Sequence, residues 1–128
     1  MIIDKMVVRF KDKSLLKGET SDFSLHKSYF SMKLLNGKNV RVNIEKMKAA
    51  FLVKSFKGNK KYRYTYKDVI PDGGTKVKVE FMDGEVMVGY NPYDIHGYHG
   101  FFIEPADLRG NNKWVFVVTS AIKEFTFM

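Results

Sequence analysis

The first residues that could do chemistry form a run of cations and tyrosines between residues 54 and 67. In an extended strand the two kinds of side chain would point to opposite faces, because strand side chains alternate. Cations can neutralise phosphates and exposed tyrosines can stack on bases, so the run is a candidate site for nucleic acid or another partner. A connector whose tyrosines pack inward is the alternative, and the opposite faces favour it. The candidate residues are Lys54, Lys57, Lys60, Lys61, Tyr62, Arg63, Tyr64 and Lys67.

The second candidate is an aromatic, histidine-containing stretch between residues 90 and 100. Pro and Gly residues interrupt it, so we predict a surface loop, and long loops often carry function. Asp94, His96 and His99 are residue types that bind metals, but their spacing on a loop fixes no geometry, and we predict no metal site. The residues predicted to form a partner-binding surface are Tyr90, Tyr93, His96, Tyr98 and His99.

Patterns that would indicate an enzyme are absent from the sequence. It contains no G-x-S-x-G, no P-loop and no H-E-x-x-H. It also has no Cys, which excludes disulfides, Cys-zinc sites and thiol nucleophiles. Asp83 and Glu85 flank a turn, and Asp12 occupies the same place earlier in the chain, so turn formation explains these carboxylates. We therefore predict a protein that is not an enzyme and that uses no cofactor.

The positive charge lies mainly in the first half of the chain. The 128 residues carry a net charge of +8. Residues 1–55 hold 12 Lys or Arg and 5 Asp or Glu, whereas residues 76–128 hold 5 and 7. This asymmetry fits a polyanionic partner, and it fits a solubilising surface equally well. No membrane span and no signal peptide are recognisable, so we predict a cytoplasmic protein without a membrane partner.

The two halves of the chain resemble each other, which indicates an internal duplication. Most positions align at an offset of 71, and an insertion of four residues around positions 107–112 changes the offset to 75. The identical aligned pairs include Val8 with Val79, Phe10 with Phe81, Asp12 with Asp83, Gly18 with Gly89, Val40 with Val115 and Val42 with Val117.

Each half has the pattern of five short strands, with at most brief helical turns near residues 44–48 and 120–123. Asp83-Gly84 is typical of a hairpin turn, and Gly89 marks a sharp bend. We predict an all-β fold, a tandem duplication of a small five-stranded, strongly bent antiparallel barrel, with the two copies packed together. The predicted units are residues 1–56, a basic, Tyr-rich connector at 57–75, and residues 76–128.

Each half resembles an Sm-like or SH3-like small barrel. In the second half the resemblance rests on Val77–Gly89, Phe101–Ile103 and Val115–Ile122. It implies RNA binding, but the turn at Val118–Ile122 lacks the Arg-Gly or Lys-His pair of Sm-like RNA sites. The whole chain also resembles an uncharacterised bacterial domain family through three stretches. These are Val8–Gly18, Ala50–Asn59 and Val77–Tyr90.

A second barrel resemblance is to the PilZ domain, which implies cyclic-dinucleotide binding. Asp22-Phe23-Ser24 matches half of its D/N-x-S-x-x-G motif, but Lys27 stands where the Gly should be, and no R-x-x-x-R occurs. No pattern specifies the function by itself. We expect a non-catalytic binding or adaptor module with a protein partner, or a homodimer. The alternatives are nucleic-acid binding through the basic first half and connector, and sensing of a small ligand or cyclic nucleotide.

Overall fold

The chain folds into β-strands joined by turns, and a computed structural model describes residues 4–24, 26–54, 75–91, 99–105 and 112–128. No helix in these segments is long and apolar enough to cross a membrane. Two 3₁₀ turns lie at Ile44–Lys46 and Thr119–Ala121. The strands are β1 (Asp4–Phe10), β2 (Leu15–Thr20), β3 (Tyr29–Leu34), β4 (Asn39–Asn43), β5 (Met47–Val53), β6 (Thr75–Phe81), β7 (Val86–Asn91), β8 (Gly100–Pro105), β9 (Asn112–Val118) and β10 (Ile122–Phe127).

Alternation of apolar and polar residues gives most strands one buried face. In β1, Met6 and Val8 are fully buried, whereas Lys5 and Arg9 are exposed. The buried side chains of β6 also fall on alternate positions. Strand β5 differs, because its first four residues are all buried. A strand that is buried on both faces must have packed neighbours on both sides of the sheet.

Equivalent Asp side chains shape the turn between β1 and β2 and the turn between β6 and β7. Asp12 Oδ1 accepts a hydrogen bond from the Ser14 backbone N–H at 2.9 Å, and Asp83 Oδ1 accepts one from the backbone N–H two residues on at 3.0 Å. Each Asp precedes a residue with positive φ, Lys13 at 74° and Gly84 at 93°. The hydrogen bonds from Ser14 lower the pKa of Asp12 below its ordinary value. The structure confirms the turn role predicted for both Asp residues.

The strands pair antiparallel in one sheet with the order β10-β6-β7-β8-β9-β5-β1-β2-β3-β4. This order contains the same five-strand arrangement twice, and we call β1–β5 the first repeat and β6–β10 the second repeat. The residue pairing also recurs, since Gly18 lies opposite Leu34, and Gly89 lies opposite Pro105. The pairings of β3 with β4 and of β8 with β9 agree likewise with the offsets of 71 and 75.

The all-β, antiparallel class predicted from the sequence is confirmed, but the two separate barrels are not. Strand β5 pairs with β1 on one side and with β9 of the other repeat on the other side. Its outer edge therefore joins the repeats into one open ten-stranded sheet, and the sheet does not close within the described segments. The predicted boundaries 1–56, 57–75 and 76–128 stay a prediction, because most of the connector lies outside the described residues.

Two equivalent glycines allow neighbouring strands to approach closely. A Cβ placed on Gly18 would meet the carbonyl group of Lys33, and one placed on Gly89 would meet the Ile103 side chain and the carbonyl group of Glu104. Such contacts are too short for any side chain, so both positions require Gly. The structure gives Gly89 this close contact between β7 and β8, and the sharp bend expected there stays a prediction.

The buried apolar side chains form two cores, and each core contains residues of both repeats. Phe116 and Val118 of β9 pack in the first core, and Ala49 of β5 packs in the second. The repeats therefore share their interiors and do not merely touch. The first core contains Met6, Val8, Phe30, Met32, Val42, Ile44, Met47, Ala50, Phe116 and Val118, and the second contains Ala49, Val77, Val79, Phe81, Ile103, Val115, Val117 and Ala121.

Candidate functional site

Few of the residues predicted to bind a partner lie in described segments. Lys54 is exposed directly after β5, and Tyr90 is half-buried on β7 opposite Glu104. His99 is described in full. No group of three metal-binding side chains occurs in the described part of the chain. The candidates outside the described segments are Lys57, Lys60, Lys61, Tyr62, Arg63, Tyr64, Lys67, Tyr93, His96 and Tyr98.

His99 lies in a polar network that joins the two repeats. Its Nδ1 contacts Glu45 Oε1, and its Nε2 lies 3.2 Å from Ser28 Oγ. Ser120 Oγ donates to Glu45 Oε2 at 3.2 Å, and Lys11 Nζ donates to Ser120 Oγ at 2.6 Å. Ser28 and His99 are equivalent positions of the two repeats, as are Glu45 and Ser120. Corresponding loops of both repeats therefore meet in this network.

Ser28, His99 and Glu45 form a chain of contacts from a hydroxyl through an imidazole to a carboxylate. Hydrolases use the same chain of groups to activate a serine nucleophile. In such enzymes the carboxylate that orients the imidazole is buried. Here the Glu45 side chain is 49% exposed and Ser28 is exposed, so water competes for these hydrogen bonds. The hydrogen bond from His99 is the main cause that lowers the pKa of Glu45. The network acts as a bridge between the repeats.

An open groove of about 420 Å³ borders this network. Lys11 and Glu45 belong to both, and the groove wall combines one aromatic ring with charged side chains of both signs. It presents no patch of a single charge that would select an anion or a cation. The lining residues are Phe10, Lys11, Asp12, Ser14, Glu45 and Lys46.

A buried cation forms a second bridge between the repeats. Lys48 of β5 is only 7% exposed, and its Nζ lies 2.7 Å from Asp83 Oδ2 and 2.5 Å from Glu85 Oε1 in the turn between β6 and β7. The Nζ also lies 4.7 Å from the centre of the Phe81 ring. Burial opposes the charged form, but the hydrogen bonds to both carboxylates raise the pKa of Lys48 above its ordinary value. The sequence predicted only the turn role of these acids.

An aromatic group lies along β10, at one edge of the sheet that the described strands form. Phe101 and Phe125 pack edge to face with ring centres 5.3 Å apart, and Phe125 and Phe127 do so at 5.0 Å. Within the described residues β10 pairs with β6 alone. Phe127 and Met128 are each 64% exposed. We call Phe101, Phe125 and Phe127 the aromatic edge.

The positions equivalent to the aromatic edge in the first repeat are covered by another strand. Phe125 and Phe127 correspond to Ala50 and Leu52 of β5. Ala50 lies opposite Phe116, and Leu52 lies opposite Trp114, both on β9. The first core is therefore completed by a strand of the second repeat, while no described strand covers the second core at β10.

Strand β4 forms the other free edge, and it is polar where β9 is apolar. Asn39, Arg41 and Asn43 of β4 are equivalent to Trp114, Phe116 and Val118 of β9. The guanidinium of Arg41 lies over the exposed ring of Tyr29, 4.7 Å from its centre. The offset of 75 aligns β4 with β9 in the sequence, so this difference is visible in the sequence itself.

The exposed face of the first repeat is basic. The strand pairing of β1 to β4 places five cationic side chains on one face of the sheet, and the acidic residue Glu19 lies on the same face. These cations are Lys5, Arg9, Lys17, Lys33 and Arg41. The equivalent residues of the second repeat are Lys76, Glu80, Val88, Glu104 and Phe116. The five compared positions are all cationic in the first repeat, whereas only Lys76 is cationic among their equivalents in the second repeat.

The loop that carries the PilZ-like half-motif has a structural role. The Asp22 carboxylate accepts hydrogen bonds from the Ser31 backbone N–H at 3.0 Å and from the Thr20 hydroxyl at 3.1 Å. Burial opposes ionisation, but these bonds lower the pKa of Asp22 overall. This side chain therefore ties the loop to β2 and β3.

The whole chain matches a protein-family model described as a family of unknown function, DUF6982, over residues 3–128. No curated protein and no solved structure matches it. The match agrees with the resemblance to an uncharacterised domain family seen in the sequence, and it assigns no ligand or reaction to the network, the aromatic edge or the basic face. Because the model covers nearly every residue, the chain belongs to the family of unknown function DUF6982.

Proposed function

We propose that the protein is a non-catalytic binding module that holds a protein partner at the β10 edge. The observation that carries this proposal is the exposure of Phe127 on a strand with one described neighbour. At the equivalent place in the first repeat, Leu52 lies opposite Trp114 of β9. Among the described residues, the same structural position is thus covered in one repeat and open in the other.

A sheet edge binds a partner by accepting one more strand. Backbone N–H and C=O groups of the edge supply affinity, and alternate side chains supply specificity. Met128 N–H donates to Lys76 O on the β6 side at 2.9 Å. Because backbone groups alternate along a strand, the N–H groups of Phe127 and Phe125 point away from β6. These donors and the aromatic rings beside them form one continuous surface for a partner strand.

Site-specific photo-cross-linking tests the proposal in cells. A photoreactive phenylalanine analogue at position 127 should trap one partner protein reproducibly. The same analogue at Leu35 is the matched control, because Leu35 is also 64% exposed but lies in the turn between β3 and β4. Equal cross-linking from both positions would show that exposure alone causes capture, and the proposed function would then be wrong.

We further propose that each repeat curls as a small, strongly bent sheet of the Sm-like or SH3-like kind. The support is the close strand approach at the equivalent residues Gly18 and Gly89, together with two buried cores that each draw most of their residues from one repeat. A crystal structure in which β1–β4 form a flat sheet would contradict this proposal. RNA binding would still require its own evidence, because fold alone does not determine function.

Binding of single-stranded nucleic acid to the basic face is the second candidate function. The observation that favours it is the charge difference between equivalent faces of the two repeats. Fluorescence anisotropy at low and moderate salt should show affinity that falls steeply with salt, since each phosphate contact releases counterions. Reversing Lys33 and Arg41 to Glu should abolish this binding, whereas reversing Lys76 and Lys78 should leave it intact. Equal effects of the two double variants would exclude this face.

A contribution of the connector to nucleic-acid binding stays a prediction. Its candidate cations lie outside the described residues, so the same anisotropy assay must test them separately. Reversal of Lys60, Lys61 and Arg63 should weaken binding if the connector contributes. Unchanged affinity in that triple variant would leave the face of the first repeat as the nucleic-acid surface.

A further inference from the structure

We infer that the occupant of the β10 edge is an extended strand of a different protein, with apolar side chains at alternate positions, bound antiparallel to β10 as β9 binds β5. This inference rests on the proposed function and deepens it. It uses the junction between the repeats as a template, because β10 is the equivalent of β5. The internal pairing therefore specifies both the direction and the register of the incoming strand.

The template defines what the incoming strand must carry. In the junction, Ala50 lies opposite Phe116 and Leu52 lies opposite Trp114. At the free edge, Phe125 and Phe127 occupy these two positions. A partner strand with two large apolar residues separated by one residue would cover both rings. Its intervening residues would face the opposite side, where β10 carries Glu124 and Thr126, both exposed.

Addition of a second copy through its β4 edge does not meet that requirement. End-to-end addition would place β4 of one copy against β10 of another, in the register of the junction. Arg41 would then take the place of Phe116, which is fully buried in the first core. Glu124 would take the place of Ala49, which is fully buried in the second core. Burying two charges in separate apolar cores without partners is strongly unfavourable.

The polar residues of β4 thus protect the sheet from adding further copies of itself, as charges on edge strands commonly do. The two ends of the sheet have different roles. The β4 end excludes another molecule of the same chain, and the β10 end accepts an apolar strand. This argument excludes end-to-end assembly of copies through β4, and pairing of β10 with β10 of a second copy is an outcome that the association measurement below tests.

Two peptides taken from the chain itself test the inference. The probe is residues 111–118, with the sequence NNKWVFVV, labelled and flanked by lysines for solubility. The matched control is residues 36–43, with the sequence NGKNVRVN, which occupies the equivalent place in the first repeat. Measured by anisotropy against the full chain, the first peptide should bind in the micromolar range. The second should bind at least about tenfold more weakly.

Two substitutions at Phe127 locate the site. Phe127→Pro removes an outward N–H and should reduce binding of the 111–118 peptide at least about tenfold. Phe127→Leu keeps the N–H and restores the residue type found at Leu52, so its binding should persist. Equal binding to both variants would place the peptide elsewhere, and no binding to the wild-type chain would also overturn the inference. Chemical denaturation of both variants verifies that they are folded.

The state of association provides an independent measurement. Light scattering after size-exclusion chromatography should show a single-chain mass for the wild-type protein across a concentration series. The triple variant Arg41→Phe, Asn43→Val and Glu124→Ala should form larger assemblies, because it restores the apolar residues of the junction. Wild-type assemblies that dissociate on Phe127→Pro would overturn the inference. In that case cross-linking from position 127 could still trap a protein partner. The inference would then fail while the proposed function would stand, so the two failures can be told apart.

Discussion

The ring of Phe116 lies opposite Ala50 and is fully buried in the core of the first repeat, although Phe116 belongs to the second repeat. It packs edge to face against Phe23 of the first repeat, with ring centres 5.0 Å apart. One side chain therefore links the interiors of the two repeats. The stability of the first repeat must depend on a strand that the second repeat supplies.

Phe116→Ala should reduce the free energy of unfolding by about 3–5 kcal/mol, because it removes a fully buried ring and leaves a cavity. Urea denaturation followed by fluorescence and by circular dichroism measures the change. Phe127→Ala is the control, and it should change stability by less than about 0.5 kcal/mol because Phe127 is mostly exposed. Two separate transitions in the wild-type protein would contradict the shared interior.

Lys48→Met should lower the free energy of unfolding by about 1.5–3 kcal/mol, the range for a hydrogen bond to a charged group. The Met side chain keeps the packing against Phe81 but cannot donate to Asp83 and Glu85. Lys123→Met is the matched control, since Lys123 is the equivalent residue of the second repeat and its side chain is 65% exposed. If both variants lost similar amounts of stability, the burial of Lys48 would not contribute to the free energy of unfolding.

The same ion pair predicts the pH dependence of stability. Hydrogen bonding from Lys48 is the main cause that lowers the pKa of Asp83, so this contribution is complete above the ordinary value of 3.8 and is lost as the pH falls through the lowered one. The pKa of Lys48 is raised, so its contribution is complete below 10.5 and is lost only as the pH rises above that value. Urea denaturation of the wild-type protein and of Lys48→Met should be measured from acidic to strongly basic pH. The difference between their free energies of unfolding should shrink at both ends of this pH range. If this difference in free energy did not change with pH, the ion pair between Lys48 and Asp83 would not be the cause of the stabilisation.

The network around His99 should contribute a smaller, measurable coupling. A double-mutant cycle of Glu45→Ala and His99→Ala should give an interaction energy of about 0.5–1 kcal/mol, because both groups are partly exposed to water. The pKa of Glu45 is lowered from 4.5, so this coupling should be lost as the pH falls below that value. Additive single substitutions would show that the two side chains do not interact in solution.

Gly18→Ala and Gly89→Ala should each cost about 1–3 kcal/mol, because a methyl group would overlap the neighbouring strand. Gly84→Lys provides the contrast. A Cβ there meets nothing within 4 Å, and the first repeat tolerates Lys13 at the equivalent position with φ of 74°. Its cost should be about 1 kcal/mol, at the lower end of the range for a side chain at positive φ, because no neighbouring atom opposes it. Thermal unfolding of the three variants under identical conditions ranks their losses of stability.

Local patterns predicted most of the fold. The strands follow from alternating apolar residues such as Met6 and Val8, and the hairpin turn follows from Asp83-Gly84, because both patterns depend on neighbours in sequence. The pairing of β5 with β9 was not predicted, since the last strand of one repeat and the fourth strand of the other carry no local signal for each other. The buried Ala49 and Ala50 were compatible with either a barrel interior or a junction.

The candidate sites were less predictable for the same reason. His99 was selected from the sequence as a candidate for partner binding, which stays a prediction, and its contacts Ser28 and Glu45 are distant in sequence and belong to the other repeat. The aromatic edge was missed because Phe125 and Phe127 have the alternation of any half-buried strand. Their position at an edge, with Phe127 exposed and Phe125 half-buried, becomes evident only when the strand order shows that β10 lies at the end of the described sheet.

The dependence of the first core on β9 also determines when the chain can acquire its structure during synthesis. Domains generally fold as units while the nascent chain grows from its N-terminus. Here β1 to β5 leave the ribosome long before β9. Until β9 is synthesised, the edge of β5 that will pair with β9 is not covered by that strand. The N-terminal half must therefore wait as an incomplete, exposed intermediate, and a pause in translation between β5 and β9 would lengthen its exposure to chaperones and proteases.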